Sequence, residues 1–155
     1  MQRERVQDLE RLSCEISRNA LPMIQGGGAI VNTASIMGLI AAPGSVAYMA
    51  AKHGVVGLTK AAALEYAAAG IRVNAVSAGP INTLAARGIS GFTDILGQVA
   101  ERAPLKRNVE IEEVAGTSVF LASDLSKDVN GRIFGCHGKH MFEYRMALTP
   151  GVMLE

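Results

Sequence analysis

Tyr48 and Lys52 lie four residues apart in the segment VAYMAAKHG, Val46 to Gly54, and Ser35 stands ahead of them at the end of AIVNTAS. On a helix, residues i and i+4 share a face. An ammonium held beside a phenol favours the phenolate. A phenol so tuned can give a proton to a carbonyl oxygen, or take one from a hydroxyl. A serine hydroxyl aimed at the same oxygen would stabilise the charge that develops there. Taken alone, the pair reads better as a solvated lysine and a half-buried tyrosine snorkelling from an amphipathic helix. Its meaning depends on the elements that must hold it.

Those elements alternate. Val6, Leu9, Leu12, Ile16 and Ala20 recur at helical spacing up to about Ile24. Gly26 to Gly28 then form a turn, and Ala29 to Ser35 read as a short buried strand, apolar and β-branched at its start. MGLIAAPGS is a loop with Pro43 and Gly44 as its turn signal. Ser45 is a suitable N-cap for a long helix reaching about Ala69, and Gly70 is its stop. Ile71 to Gly79 read as a second buried strand, followed by the loop PINTLAARGISG. FTDILGQVAERA suggests a short helix ended by Pro104, and EIEEVAGTSVFLAS a stronger one with acids in its first turn. Arg132 to Cys136 are a third strand, and the tail beyond Gly138 has no clear period.

Strand, helix, strand, helix, strand is the pattern of an α/β fold with a parallel sheet and crossover helices. Such sheets bind ligands beyond the carboxyl ends of their strands. Ser35 ends the first strand, Gly79 to Thr83 follow the second, and the long helix carries Tyr48 and Lys52 in its first two turns. Topology therefore predicts that these groups converge on one rim.

The totals narrow the classes. A chain of 155 residues suits one domain, here 1–155. Fifteen basic and 14 acidic residues give a net charge of +1, without the basic excess that a nucleic-acid or membrane-surface partner needs. Cys14 and Cys136 are too remote to form a disulfide framework, so a reducing, cytoplasmic setting is expected. No secretory signal is evident, and no apolar run approaches the roughly 18 residues of a membrane span. Cys136, His137 and His140 match no standard zinc spacing, so no metal site is expected. His53 reads as an exposed helix residue.

The stretch from Gly26 to Thr83 resembles the short-chain dehydrogenase/reductase family. The likeness lies in the NxxS strand end, Asn32 to Ser35, in YxxxK, in GIRVNAV, and in GPINT, which is similar to the family's PGxxxT. Weaker likeness runs on through EEVAGTSVFLASDLSKDVNG. The resemblance implies a Rossmann-like parallel sheet, incomplete here, with about three strands. It implies NAD or NADP as cofactor and an alcohol or carbonyl as the small-molecule substrate. It makes Tyr48 the acid/base, Lys52 the holder of the nicotinamide ribose and Ser35 the group that orients the substrate carbonyl. The loop Gly79, Pro80, Ile81 and Thr83 would hold the carboxamide. It further implies a homodimer or homotetramer formed through the long helix. The Tyr48–Lys52 spacing argues against the enoyl-reductase branch, which uses a wider gap.

Departures are equally specific. The family's TGxxxGxG turn is not in this sequence, and Gly26 to Gly28 do not replace it, because that fingerprint follows a strand and opens a helix. The chain therefore reads as the C-terminal portion of such a domain, beginning in the family's fourth helix. The position of the family's catalytic asparagine falls near Asp8, the proline before the loop glycine is Ala78, and GRIFGCHGKHMF replaces VDGG. The first strand would then present an open edge. Two alternatives stand beside the enzyme: a truncated, inactive relative serving as an oligomerisation or binding module, and a ketoacyl reductase-like role.

Overall fold

The computed structural model describes residues 26–41, 45–87 and 91–137. The helix expected over Val6 to Ile24, Asp8, the Pro43–Gly44 turn, His140 and the tail lie outside the described residues.

Three parallel strands form the sheet: β1 (Gly28–Thr33), β2 (Ile71–Ala78) and β3 (Ile133–Cys136), in the order β1-β2-β3. Gly28 pairs with Ile71 and Thr33 with Val76, while Ala75 pairs with Ile133 and Ala78 with Cys136. The central strand IRVNAVSA is buried almost throughout, as a strand covered on both faces must be. β1 is only half-buried, and among the described residues it has one neighbour.

Helix α1 (Val46–Glu65) covers one face of the sheet. Val56, Thr59, Ala62 and Ala63 form its buried stripe. Ala62 and Ala63 pack on Ile71 and Val73, and Val56 packs on Ala34 and Ala75. Thr59 is fully buried, which a hydroxyl tolerates only when bonded. Its Oγ1 donates to the Val55 carbonyl at 2.8 Å and accepts from Asn32 Nδ2 at 3.0 Å. The helix differs from expectation at both ends. Ser45 holds the cap position without a side-chain cap hydrogen bond. The α-form stops at Glu65, and a 3-10 turn over Ala67–Ala69 follows, closed by Gly70 in the left-handed region at φ 73°.

The even-numbered positions of β2 face the other way, towards α4 (Ile111–Ala122). Arg72 donates to the Ser123 carbonyl at 3.1 Å and to Ser126 Oγ at 3.0 Å. Asn74 donates to the Val129 carbonyl at 2.9 Å and accepts from Arg132 N at 3.0 Å. Asn130 ties both layers: its Oδ1 accepts from Val73 N and its Nδ2 donates to the Ala63 carbonyl, each at 2.8 Å. α4 starts in a capping box between Glu110 and Glu113, consistent with the acids expected in its first turn.

Two segments read as loops contain short helical turns. A 3-10 turn occupies Ile36–Gly38, and α2 (Leu84–Arg87) breaks PINTLAARGISG ahead of α3 (Phe92–Arg102). Neither has enough residues for helical periodicity to show in the sequence.

Candidate active site

β1 delivers the first part of the site. Its ladder runs one residue past the strand, Ala34 N donating to the Val76 carbonyl at 2.9 Å, and Ser35 follows in extended conformation. Ser35 is 8% exposed, and its Oγ accepts from Met37 N at 3.3 Å, capping the 3-10 turn. Accepting this bond leaves the hydroxyl hydrogen able to donate to a substrate oxygen.

α1 delivers the second. Lys52 Nζ donates to the Thr33 carbonyl at 2.8 Å, which fixes the ammonium at the carboxyl end of β1. The same ammonium lies 5.7 Å from the centroid of the Tyr48 ring, within cation–π range. Tyr48 is 50% exposed, so a ligand can reach its phenol. Gly38, in the turn that Ser35 begins, lies against the Lys52 backbone. Sequence reasoning missed this contact, because an isolated glycine in a loop carries no periodic signal.

β2 delivers the third. Gly79 N donates to the Cys136 carbonyl at 3.0 Å, and a Cβ on Gly79 would stand 2.9 Å from His137 Cβ. A side chain would push this loop off β3, so glycine suits the position. Gly79, Pro80 and Ile81 are half-buried. Thr83 N donates to the Ile81 carbonyl at 2.8 Å, and Thr83 Oγ1 accepts from Ala86 N at 3.2 Å. The loop therefore leaves β2 beside the strand end that carries Ser35.

The donor types present are of the kind a nicotinamide riboside would need. Lys52 spends one N–H on Thr33 among the described residues, so two remain for a diol. Thr83 keeps its hydroxyl hydrogen for an amide carbonyl. The Gly26–Gly28 turn lies at the amino end of β1, where Gly28 N donates to the Gly70 carbonyl, opposite the rim. A cleft of about 540 Å³ opens at that same amino end, lined by Gly27, Arg72, Asp124, Lys127 and Asp128. It is remote from Tyr48, and its mixed charges show no selectivity for an anion.

Among the described residues no group of His, Cys, Asp or Glu could hold a metal ion. Cys136 Sγ donates instead to Thr117 Oγ1 at 3.2 Å. His53 is exposed, its Nδ1 2.9 Å from the Met49 carbonyl oxygen. No described helix is long and apolar enough to cross a membrane.

A family model described as "Enoyl-(Acyl carrier protein) reductase" matches residues 12–138. The chain is 43% identical over 126 residues to the enoyl-(acyl-carrier-protein) reductase (NADPH) FabI of Staphylococcus aureus, covering 81% of this chain and 49% of that protein. It is 44% identical over 114 residues to the 3-oxoacyl-(acyl-carrier-protein) reductase FabG of Staphylococcus epidermidis, covering 74% of this chain and 46% of that one. The crystal structure of the Bacillus cereus enoyl-acyl carrier protein reductase, solved with NADP+ and indole naphthyridinone, superposes with a TM-score of 0.79 at 35% identity. That match covers 84% of this chain and 51% of the neighbour. The chain thus spans about half the length of the curated relatives it matches. Enoyl reductases and a 3-oxoacyl reductase thus match to a similar degree, at 43% and 44% identity.

Proposed function

Because this chain belongs to the short-chain dehydrogenase/reductase family, we propose that it carries the acid/base half of an NAD(P)-dependent oxidoreductase acting on an alcohol or carbonyl substrate. One observation carries the reading: the Lys52–Thr33 hydrogen bond, which holds an ammonium beside the Tyr48 ring at the strand end next to Ser35. A nicotinamide cofactor, when bound, supplies or accepts the hydride. Tyr48 gives its phenolic proton to the substrate oxygen in reduction and takes it back in oxidation. The Lys52 ammonium stabilises the phenolate left behind and offers its remaining hydrogens to the ribose hydroxyls. Ser35 donates to the same substrate oxygen and holds the carbonyl in place. The Ile81 backbone and the Thr83 hydroxyl orient the carboxamide.

A second reading is reduction of an enoyl double bond, favoured by the description of the matching family model. The outer face of α1, with Gly54, Gly57 and Ala61 exposed and Leu64 83% exposed, suits close packing against a second copy.

The test is oxidation of NADH and NADPH by the chain and by Tyr48→Phe, across a panel of ketones, 3-oxoacyl thioesters and enoyl thioesters. Turnover of carbonyls that falls at least a hundredfold in Tyr48→Phe is expected. Equal rates for the two proteins would remove Tyr48 from the mechanism. Turnover of enoyl thioesters alone selects the second reading. Failure to bind either cofactor at micromolar concentration selects the binding-module alternative.

A further inference from the structure

Gly38 is buried and closes the turn that Ser35 opens, its N–H donating to the Ser35 carbonyl at 2.9 Å. On its other side it lies against α1. A Cβ at this position would stand 2.5 Å from the Lys52 carbonyl oxygen, 2.8 Å from the Lys52 carbonyl carbon and 3.2 Å from Val56 Cγ2. The two shorter contacts are with backbone, which cannot rotate aside. Gly38 is not among the glycines at positive φ, so its conformation is open to any residue. Space, and not backbone freedom, is what demands glycine here.

We infer that Gly38 is a positioning residue: its missing Cβ lets the Ser35 turn rest directly on the Lys52 backbone and so sets the separation of Ser35 from the Tyr48–Lys52 pair. The inference rests on the reading of those three residues as one reaction centre. A methyl group must force turn and helix apart by roughly 1 Å to recover normal van der Waals distances. The helix is held to β1 by the Lys52–Thr33 and Asn32–Thr59 hydrogen bonds, and the displacement falls on the bond of Lys52, the residue whose backbone Gly38 touches. A shift of that size at a reacting centre costs about a hundredfold in rate.

Gly38→Ala is compared with Gly116→Ala, a substitution in α4 where a new Cβ meets nothing within 4 Å. The carbonyl ¹³C shift of Thr33 reports the Lys52 hydrogen bond without any need for turnover. In Gly38→Ala this signal is expected to move and turnover at saturating substrate to fall about a hundredfold, beyond any loss of folded fraction. In Gly116→Ala both stay at the parent values. Should Gly38→Ala alone not fold, the Gly38→Ala/Gly116→Ala double variant restores helix stability at a distance. A folded Gly38→Ala protein with an unmoved Thr33 signal overturns the inference, whatever the activity. A moved signal in a chain whose parent turns over no substrate instead overturns the acid/base reading and leaves the role of Gly38 in spacing supported.

Discussion

Lys52 Nζ donates to the Thr33 carbonyl across 2.8 Å and so joins helix α1 to the last residue of β1. A helix docked on a sheet can still slide or roll by a fraction of a turn when its contacts are only apolar. This bond ends that freedom at the end of α1 where Tyr48 stands. It also holds the ammonium 5.7 Å from the Tyr48 ring centroid.

Lys52→Met removes both the tether and the charge. Nicotinamide binding, followed by calorimetric titration, should weaken more than tenfold. Any turnover that depends on Tyr48 should fall by about 10²–10⁴. Lys52→Arg should not rescue it, because a planar guanidinium cannot reproduce a compact point donor at this distance from Thr33.

Thr59 lies on the buried face of α1 and accepts the Asn32 side-chain amide at 3.0 Å. Thr59→Val keeps the shape but strands that amide. The expected loss is about 1–3 kcal/mol, read from the midpoint of urea unfolding with an unchanged slope. Thr59→Ser keeps the acceptor and should lose less.

Asn130 holds Val73 N with its oxygen and the Ala63 carbonyl with its nitrogen, both at 2.8 Å. Leucine at this position would leave a strand N–H and a helix carbonyl without these partners. Asn130→Leu should cost about 2–6 kcal/mol, the sum of two such losses. Asn130→Asp tests the assignment: it keeps the acceptor, loses the donor, and should fall between the two.

Glu113 provides a pH-dependent contact. The Arg107 guanidinium first, and the Glu110 main-chain N–H second, hold its carboxyl at about 2, below the ordinary 4.5. The charged form is favoured in the folded state, so its contribution is complete above about 4.5 and disappears as the pH falls through about 2. The pair is solvent-exposed and screened by salt, so the effect on global stability is small. The carboxyl ¹³C titration of Glu113 should show a midpoint near 2. Arg107→Gln should move that midpoint towards the ordinary value.

Much of this molecule is written in short-range pattern. The apolar, β-branched runs place β1, β2 and β3 within two residues of their observed ends. The alanine-rich segment closed by Gly70 announces α1 and its stop, though its last turn proves to be 3-10. The strand–helix–strand order alone puts Ser35 and the loop from Gly79 at neighbouring strand ends, because a crossover helix returns the chain to the same side of a parallel sheet.

What period and propensity leave open are the contacts between residues far apart in the chain. No local signal says that Lys52 will find a main-chain carbonyl nineteen residues earlier, since every strand residue has a carbonyl. None says that Asn130 will clamp α1 to β2 across 67 residues, or that Gly38 will press on the Lys52 backbone. The sequence by itself determined which strands and longer helices form and which rim collects Ser35, Tyr48 and Lys52. Only the tertiary structure decided how far apart these groups are held. That separation depends on close-packed surfaces meeting at a few ångströms, which no single segment specifies.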